Sequence, residues 1–282
     1  MKKYFINLFF LFLVACSTST PQVTVTSEVT VTSLPAITST PEPALWISNS
    51  VPDDLRDLTK TWNIKIVDDK NVATQILDVS DSGATWIYAL VASFPTLTDD
   101  TASSDLISIW KGDSTEHTLI MAESTLSAFK AQWGEPSSSQ VRSVASEQIV
   151  DEVWKDSSTW AIIPFEEIQP KLKVISVDGQ SPLHKDFDES LYSLKIIFGG
   201  VSFDLPTSNR DATKLTTVVL TGVTALVRAT AFTMETKGVT RPGELIHDWL
   251  YDADIAHISN EVPFDKNCPY PTAGHKKFYF VQ

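Results

Sequence analysis

The sequence has few cysteines and few basic residues. It contains two Cys in 282 residues, and 35 Asp and Glu against 22 Lys and Arg give a formal net charge of −13. Nucleic-acid binding requires clustered Lys and Arg, so this balance argues against a nucleic-acid partner. The charge fits an extracytoplasmic protein or a cation-binding one and does not choose between them. Residues 45–203 also lack a Gly-rich phosphate loop and a Ser-His-Asp arrangement, so no catalytic set is predicted there.

The first residues have the pattern of a bacterial export signal. Lys2 and Lys3 precede the apolar run "YFINLFFLFLV", which is too short to span a membrane comfortably. The run ends in "LVAC", which resembles a lipobox and implies that Cys16 is acylated and becomes the N-terminus. We therefore expect residues 1–16 to be a lipoprotein signal peptide, and the protein to be anchored by lipid to a membrane of the cell envelope, outside the cytoplasm. The alternative is an ordinary secretory signal with a chance cysteine.

A second cysteine and a Ser/Thr/Pro-rich segment complete the terminal features. If Cys16 carries lipid, Cys268 is the one remaining thiol, and no intramolecular disulfide can form. Cys268 lies in the Pro-rich "NCPYP", which argues against a nucleophilic role. Residues 17–44 are rich in Ser, Thr, Pro and Val, and we interpret them as a disordered linker.

Residues 45–203 alternate between strand and helix patterns. "ALWIS", "ATWIYALVASFP" and "HTLIMA" have the composition of strands, whereas "SSDLISIWKG" and "ESTLSAFKAQWG" have helical apolar spacing and end in glycine. This alternation predicts an α/β domain with a mostly parallel sheet. After a polar patch at residues 204–214, residues 214–282 begin a separate strand-helix-strand unit.

Two serines are candidates for ligand binding in the first domain. Ser50 and Ser124 each follow a predicted strand and precede a predicted helix. Backbone N–H groups at helix N-termini bind anions, so these two positions are candidates for an anion site. The alternative, which we prefer from sequence, is that both serines simply cap their helices.

An amide and a carboxylate end the last predicted strand. Asn260 and Glu261 supply two oxygen ligands of the kind that hard divalent ions prefer. A two-metal hydrolase needs further Asp, Asn and His ligands from later strands, so the predicted metal site is incomplete. We expect no cofactor for the chain as it stands.

The final quarter of the chain resembles the opening of the CapA family. The run from Leu215 to Pro271 carries "LTGVTALVR" and "SNEV" where that family has a Gly-Asp turn with a following Arg and an Asn-Leu-Glu strand end. The resemblance implies a calcineurin-like metallophosphatase domain, a divalent metal in full-length relatives, and a role in capsule or poly-γ-glutamate synthesis beside cell-surface polymer machinery. Val223 replaces the family's acidic residue and its later motifs would lie beyond Gln282, so we expect no metallophosphatase activity.

Residues 45–203 look like a solute-binding-protein domain of the phosphate-binding type. The resemblance is carried by "YALVASFPTLTDD", "ESTLSAFKAQWG" and "WAIIPFEEIQPKLKVISVDGQSPLHKDFD". Together the two resemblances predict a periplasmic-binding-protein-like (type 2) α/β domain followed by an incomplete metallophosphatase domain, in a CapA-like lipoprotein. The alternative is an extracytoplasmic solute-binding lipoprotein of a transport system, with a phosphate-like anion as its ligand.

Overall fold

The computed structural model describes residues 42–261 of the chain. Chain contacts divide the protein into residues 1–40 and residues 41–282, and the described residues belong to the second unit. The predictions for Cys16, for Cys268 and for almost all of the linker lie outside the described residues. Within 42–261, no helix has both the length and the hydropathy needed to cross a membrane.

The described residues form eleven strands and six α-helices. The strands are β1 (Ala44–Ile47), β2 (Lys65–Ile66), β3 (Gln75–Ser93), β4 (Asp100–Thr101), β5 (Thr118–Met121), β6 (Val141–Ser143), β7 (Thr159–Pro164), β8 (Leu172–Val177), β9 (Lys195–Gly199), β10 (Val218–Thr224) and β11 (Ile255–Asn260). The helices are α1 (Asp53–Thr59), α2 (Ser103–Lys111), α3 (Glu123–Trp133), α4 (Ile149–Lys155), α5 (Arg228–Lys237) and α6 (His247–Asp252).

Strands β1 to β9 form one sheet with the order β2-β1-β3-β7-β5-β6, and β8 and β9 also pair with β3. Five of its eight strand pairings are parallel, which confirms the predicted α/β class with a mostly parallel sheet. The other three pairings join β3 to β7, β8 and β9 and are antiparallel. Sequence analysis did not predict this mixed character, because strand direction depends on partners far away in the chain.

The long strand β3 joins the parallel strands β1 and β2 to the rest of the larger sheet. Near its start Leu77 pairs with Ile47 of the parallel strand β1, and near its end Tyr88 pairs with Pro164 of the antiparallel strand β7. The carboxyl ends of β1 and β7 therefore point toward each other across the middle of β3. A register shift lies between these two regions, and it contains Gly83 with φ of 139°.

Helices cover both faces of this sheet. Along β5 and β7, Leu119, Trp160 and Ile162 belong to one apolar cluster, and Ile120, Ala161 and Ile163 belong to another. Helices α2 and α3 pack on the first face and α4 packs on the second. Since both faces are covered, all six residues of β7 are buried, which explains the nearly unbroken apolar sequence "WAIIP". Gly112 and Gly134 end α2 and α3, as the sequence predicts.

A second, two-stranded sheet lies near the end of the described chain. Strands β10 and β11 pair in parallel, and α5 and α6 lie between them in sequence. Sequence analysis predicts one helix in this unit, whereas the structure has α5 and α6, with a 3-10 helix at residues 241–246 before α6. Many large apolar side chains of this unit are exposed: Val218, Leu220, Val223, Phe232, Val239, Leu245, Ile246, Trp249, Tyr251, Ile255 and Ile258.

Candidate functional site

Polar residues collect where the carboxyl ends of several strands meet. Strands β5, β6 and β7 are parallel neighbours, so the segments that follow them share one edge of the sheet. The segment after β1 faces this edge from the other side of β3. Helix α3 follows β5, residues 146–148 follow β6, and residues 165–167 follow β7. We call this region the carboxyl edge.

Carboxylates from three segments converge at the carboxyl edge. Burial is the main cause that raises the pKa of Glu167 to about 7, and the negative charges of Glu166, Asp53, Asp54 and Glu147 contribute to the same rise. Asp53 and Asp54 begin α1, whereas Glu147 follows β6. Because all four groups influence the charge on Glu167, the segments that the strand topology directs to this edge lie close together.

Glu166 is held by two side chains from distant parts of the chain. Its carboxylate accepts hydrogen bonds from Trp86 Nε1 at 2.9 Å and from Asn209 Nδ2 at 2.6 Å. The Asn209 side chain also accepts a hydrogen bond from the Ile87 N–H at 2.7 Å and donates one to the Ile87 carbonyl at 3.0 Å. It therefore pairs with the β3 backbone as a residue of a neighbouring strand would. Burial raises the pKa of Glu166 even though both of its hydrogen bonds favour the ionised form. Sequence analysis missed this group; the signal available was an acidic pair directly after the apolar strand "WAIIPF".

Ser50 is used inside the protein and does not cap α1. Helix α1 begins at Asp53 after Pro52, and no side chain caps it, so the capping interpretation of Ser50 is wrong. The Ser50 hydroxyl instead donates to Asp78 Oδ1 at 3.0 Å, and it lies 2.9 Å from Ser48 Oγ. Ser50 is 3% exposed. Ser50 as a ligand-binding residue stays a prediction.

Ser124 lies inside the first turn of α3 and does not cap it. Ala122 is the N-cap residue, so the capping interpretation of Ser124 is also wrong. The first backbone N–H groups of a helix have no acceptor within the helix, and Ser124 lies among them. The next residue, Thr125, is 1% exposed, and its hydroxyl has no hydrogen-bond partner among residues 42–261. At this turn the structure therefore has one buried donor, the Thr125 hydroxyl, for which residues 42–261 provide no acceptor.

Asn260 and Glu261 lie next to each other at the carboxyl end of β11. Asn260 ends β11 opposite Thr224, and the Glu261 N–H donates to the Thr224 carbonyl at 3.2 Å. Within residues 42–261, no group of three or more His, Cys, Asp or Glu side chains has an arrangement that could hold a metal ion. A metal at Asn260 and Glu261 stays a prediction.

Comparison with known proteins found similarity to solved structures alone. No family model and no curated protein matches the chain. An ABC-type phosphate transport receptor from Vibrio cholerae is 14% identical, with 56% of this chain and 85% of that chain covered and a TM-score of 0.48. A putative phosphate ABC transporter substrate-binding protein from Clostridium perfringens is also 14% identical, with 56% and 84% covered and a TM-score of 0.41. A possible phosphate binding protein from Planctomyces limnophilus is 13% identical, with 56% and 79% covered and a TM-score of 0.41.

These comparisons contradict the CapA interpretation. No family model matches residues 214–282, and the similar structures are named for phosphate transport or binding instead of capsule synthesis. The strand-helix-strand unit behind the resemblance is present as β10 to β11, but a local unit of this kind occurs in many unrelated α/β proteins. The predicted metallophosphatase domain and the predicted role in capsule or poly-γ-glutamate synthesis are therefore wrong.

Proposed function

We propose that the chain is an extracytoplasmic solute-binding protein of a transport system, tethered to a membrane through Cys16, and that it binds a small phosphate-like anion at the first turn of α3. Its role is to hold this ligand and present it to a transporter. Fold alone does not define chemistry, so the proposal depends on the donors at that turn.

The unpaired hydroxyl of Thr125 carries the proposal. A buried hydroxyl without a partner is costly, and a bound anion would give it an acceptor. Thr125 lies in the first turn of an eleven-residue helix, where free backbone N–H groups and the helix dipole both favour negative charge. Ser124, half-buried beside it, adds a second hydroxyl.

The neighbouring carboxylates make this site sensitive to pH. Because Ile120 pairs with Ala161 in parallel, α3 and residues 165–167 both leave the sheet at the carboxyl edge. An ionised Glu167 would repel an anion, whereas a protonated Glu167 would donate a hydrogen bond to it. Because the pKa of Glu167 is about 7, we expect the affinity for an anion to rise as the pH falls from 8 to 6.

Isothermal titration calorimetry with inorganic phosphate tests the site. We expect Thr125→Val, which replaces the hydroxyl with a methyl group, to weaken binding about tenfold, the effect of roughly 1.4 kcal/mol. Ser124→Ala should weaken binding less, because a half-buried hydroxyl can be replaced by water. Ser104→Ala is the matched control, since Ser104 is the second residue of α2 just as Ser124 is the second residue of α3. If Ser104→Ala and Thr125→Val weaken phosphate binding equally, phosphate does not bind at the first turn of α3.

Two further measurements separate the parts of the proposal. Phosphate changes its own charge near neutral pH, so the titration is repeated with Glu167→Gln, which should remove the part of the pH dependence that belongs to the protein. A chain that binds no phosphate between pH 6 and 8 is not an anion receptor of this kind. The tether is tested separately: Cys16→Ser should release the protein from membranes and abolish labelling by radioactive palmitate.

A further inference from the structure

The Asn209 side chain has one possible orientation against strand β3. Its Oδ1 lies 2.7 Å from the N–H of Ile87, which can only donate, and its Nδ2 lies 3.0 Å from the Ile87 carbonyl, which can only accept. Ile87 is fully buried, so a reversed amide would leave both of these backbone groups unpaired and away from water. The second N–H of Nδ2 is therefore directed at Glu166, whose Oε2 lies 2.6 Å away.

Trp86 supplies Glu166 with a second donor that cannot act as an acceptor. Its indole Nε1 lies 2.9 Å from Glu166 Oε1, and an indole nitrogen only donates. Trp86 is 4% exposed, and its ring meets the ring of Phe198 edge to face, with centroids 6.5 Å apart. The core thus fixes this donor, just as the β3 backbone fixes the donor of Asn209.

These donors favour the ionised form of Glu166. A hydrogen bond from an N–H group is stronger to a carboxylate than to a carboxylic acid, so a proton on Glu166 would weaken both contacts. Burial raises the pKa of Glu166, whereas hydrogen bonds from its own backbone N–H, from Asn209 and from Trp86 lower it. The negative charge of Asp54 acts on this pKa in the same direction as burial. The three donors therefore oppose the effects of burial and of the neighbouring charge.

Glu167 has the opposite surroundings. Burial is the main cause that raises its pKa to about 7, and the charges that contribute, those of Glu166, Asp53, Asp54 and Glu147, are all negative. In the described part of the chain, no hydrogen bond is among the causes that act on this group. A proton on Glu167 removes a partly buried negative charge that faces four others. Of the two neighbouring carboxyl groups, Glu167 is therefore the better place for a single proton.

We propose that Asn209 is a positioning residue of the anion site: together with Trp86 it keeps Glu166 ionised, so that the proton exchanged by this pair of carboxyl groups resides on Glu167. Asn209 lies in the connection between β9 and β10, and its role is exerted through Glu166. The inference rests on the proposed function for its link to phosphate. The position of the proton is a property of the protein without ligand and is tested separately.

Carbon-13 NMR of protein labelled at the glutamate carboxyl carbons measures where the proton lies. Glu166→Gln and Glu167→Gln each remove one resonance and so assign the two groups. In the wild type we expect Glu167 to titrate at about pH 7 and Glu166 to titrate at a lower pH. A Glu166 carboxyl group that titrates at a higher pH than Glu167 would overturn the proposal.

Asn209→Ala and Trp86→Phe each remove one donor from Glu166. The pKa of Glu166 should then rise, and the pKa of Glu167 should fall, because a protonated Glu166 no longer contributes its charge. Simple loosening of the structure gives a different result, since exposure to water would lower both pKa values toward 4.5. If the pKa of Glu166 rises in neither variant, the two donors do not determine the position of the proton, and the proposal is wrong.

Ser208→Ala is the matched control for Asn209→Ala. Ser208 precedes Asn209 in the same segment, and its hydroxyl lies 3.3 Å from a carboxylate oxygen of Glu189, a different acid from Glu166. The titrations of Glu166 and Glu167 should therefore stay as in the wild type. Equal changes in Ser208→Ala and Asn209→Ala would show that the segment as a whole, and not the Asn209 amide, controls the proton.

Phosphate titrations at pH 6 and pH 8 connect the proton to the ligand. The part of the pH dependence that Glu167→Gln abolishes should fall by about half or more in Asn209→Ala, because the proton is then shared with Glu166. An unchanged pH dependence in Asn209→Ala would overturn its role at the anion site. A protein whose two carboxyl groups titrate in the expected order but that binds no phosphate would refute the proposed function, and with it the link to the ligand, while confirming that the proton resides on Glu167.

Discussion

The hydroxyl group of Tyr192 donates a hydrogen bond of 2.8 Å to the backbone carbonyl oxygen of Tyr88. Both residues are at most 1% exposed, and burial raises the pKa of both phenols. The hydroxyl of Tyr88 itself has no hydrogen-bond partner within residues 42–261. The core therefore contains one tyrosine whose hydroxyl is paired and another, in contact with it, whose hydroxyl is not.

This difference predicts opposite outcomes for two similar substitutions. Tyr192→Phe should lower the free energy of unfolding by about 1–2 kcal/mol, because it leaves the Tyr88 carbonyl without this donor. Tyr88→Phe removes a buried hydroxyl that has no partner, so the free energy of unfolding should stay within about 0.5 kcal/mol or rise. Urea denaturation followed by circular dichroism measures both. Equal losses from the two variants would contradict the hydrogen-bond assignment.

The raised pKa of Glu167 predicts a pH dependence of stability. The pKa is about 7 in the folded state and 4.5 is the ordinary value, so the folded protein binds the proton more tightly than the unfolded chain does. This contribution to stability is fully present below about pH 4.5 and is lost as the pH rises through 7. Denaturation curves at several pH values should show the free energy of unfolding falling over this window.

Glu167→Gln tests whether Glu167 is the group responsible for this pH dependence of stability. The variant should be at least as stable as the wild type at pH 8, because it lacks a buried negative charge, and its stability should vary less between pH 4.5 and 7. Asp151→Asn removes an exposed carboxylate of α4 and should leave the slope of the wild type in place. A slope that persists in Glu167→Gln would show that another group is responsible.

Gly83 is the position where a side chain is least compatible with the sheet. A Cβ there would lie 2.0 Å from the carbonyl oxygen of Phe198, and the φ of 139° is unfavourable for any other residue. We expect Gly83→Ala to lower the free energy of unfolding by about 3 kcal/mol or more. Gly179 also has a positive φ but nothing within 4 Å of its Cβ position, so Gly179→Ala should cost only about 1 kcal/mol. Thermal unfolding of the two variants side by side measures the contrast.

An ion pair joins the smaller sheet's unit to the loop before β9. Lys185 Nζ lies 2.7 Å from Asp254 Oδ1, and the hydrogen bond from Lys185 is the main reason that the pKa of Asp254 is lowered. Lys185→Met should therefore raise the pKa of Asp254 toward its ordinary value, which an NMR titration of the carboxyl carbon measures. Lys214→Met breaks a different exposed pair, with Asp211, and should leave the Asp254 titration unchanged. A pKa of Asp254 that does not respond to Lys185→Met would show that the pair is not formed in solution.

Local patterns in the sequence were sufficient to predict most of the helices and several strands. Helix α3 follows from the spacing of its buried Leu126 and Phe129, and its end follows from Gly134. Strand β7 follows from its apolar run, since burial on both faces removes polar residues. These features depend on residues that are close together in the sequence, which is why a single sequence contains enough information to predict them.

The remaining features depend on contacts between distant residues. Asn209 meets Ile87 across 122 positions, and neither residue has a neighbour in sequence that signals the contact. Strand β9 was missed, although its pairing with β3 determines the mixed character of the sheet. The CapA resemblance failed for a related reason: a short strand-helix-strand pattern specifies local structure and does not identify a family.

The position of β3 has a consequence for how the protein is made. This strand is completed by β9, which begins more than 100 residues after β3 ends. The interior of the larger sheet therefore cannot close until residue 199 has left the ribosome. Until then residues 84–87 of β3 lack their partner strand, and a chaperone that holds the emerging chain should increase the yield of native protein more than one that acts after release.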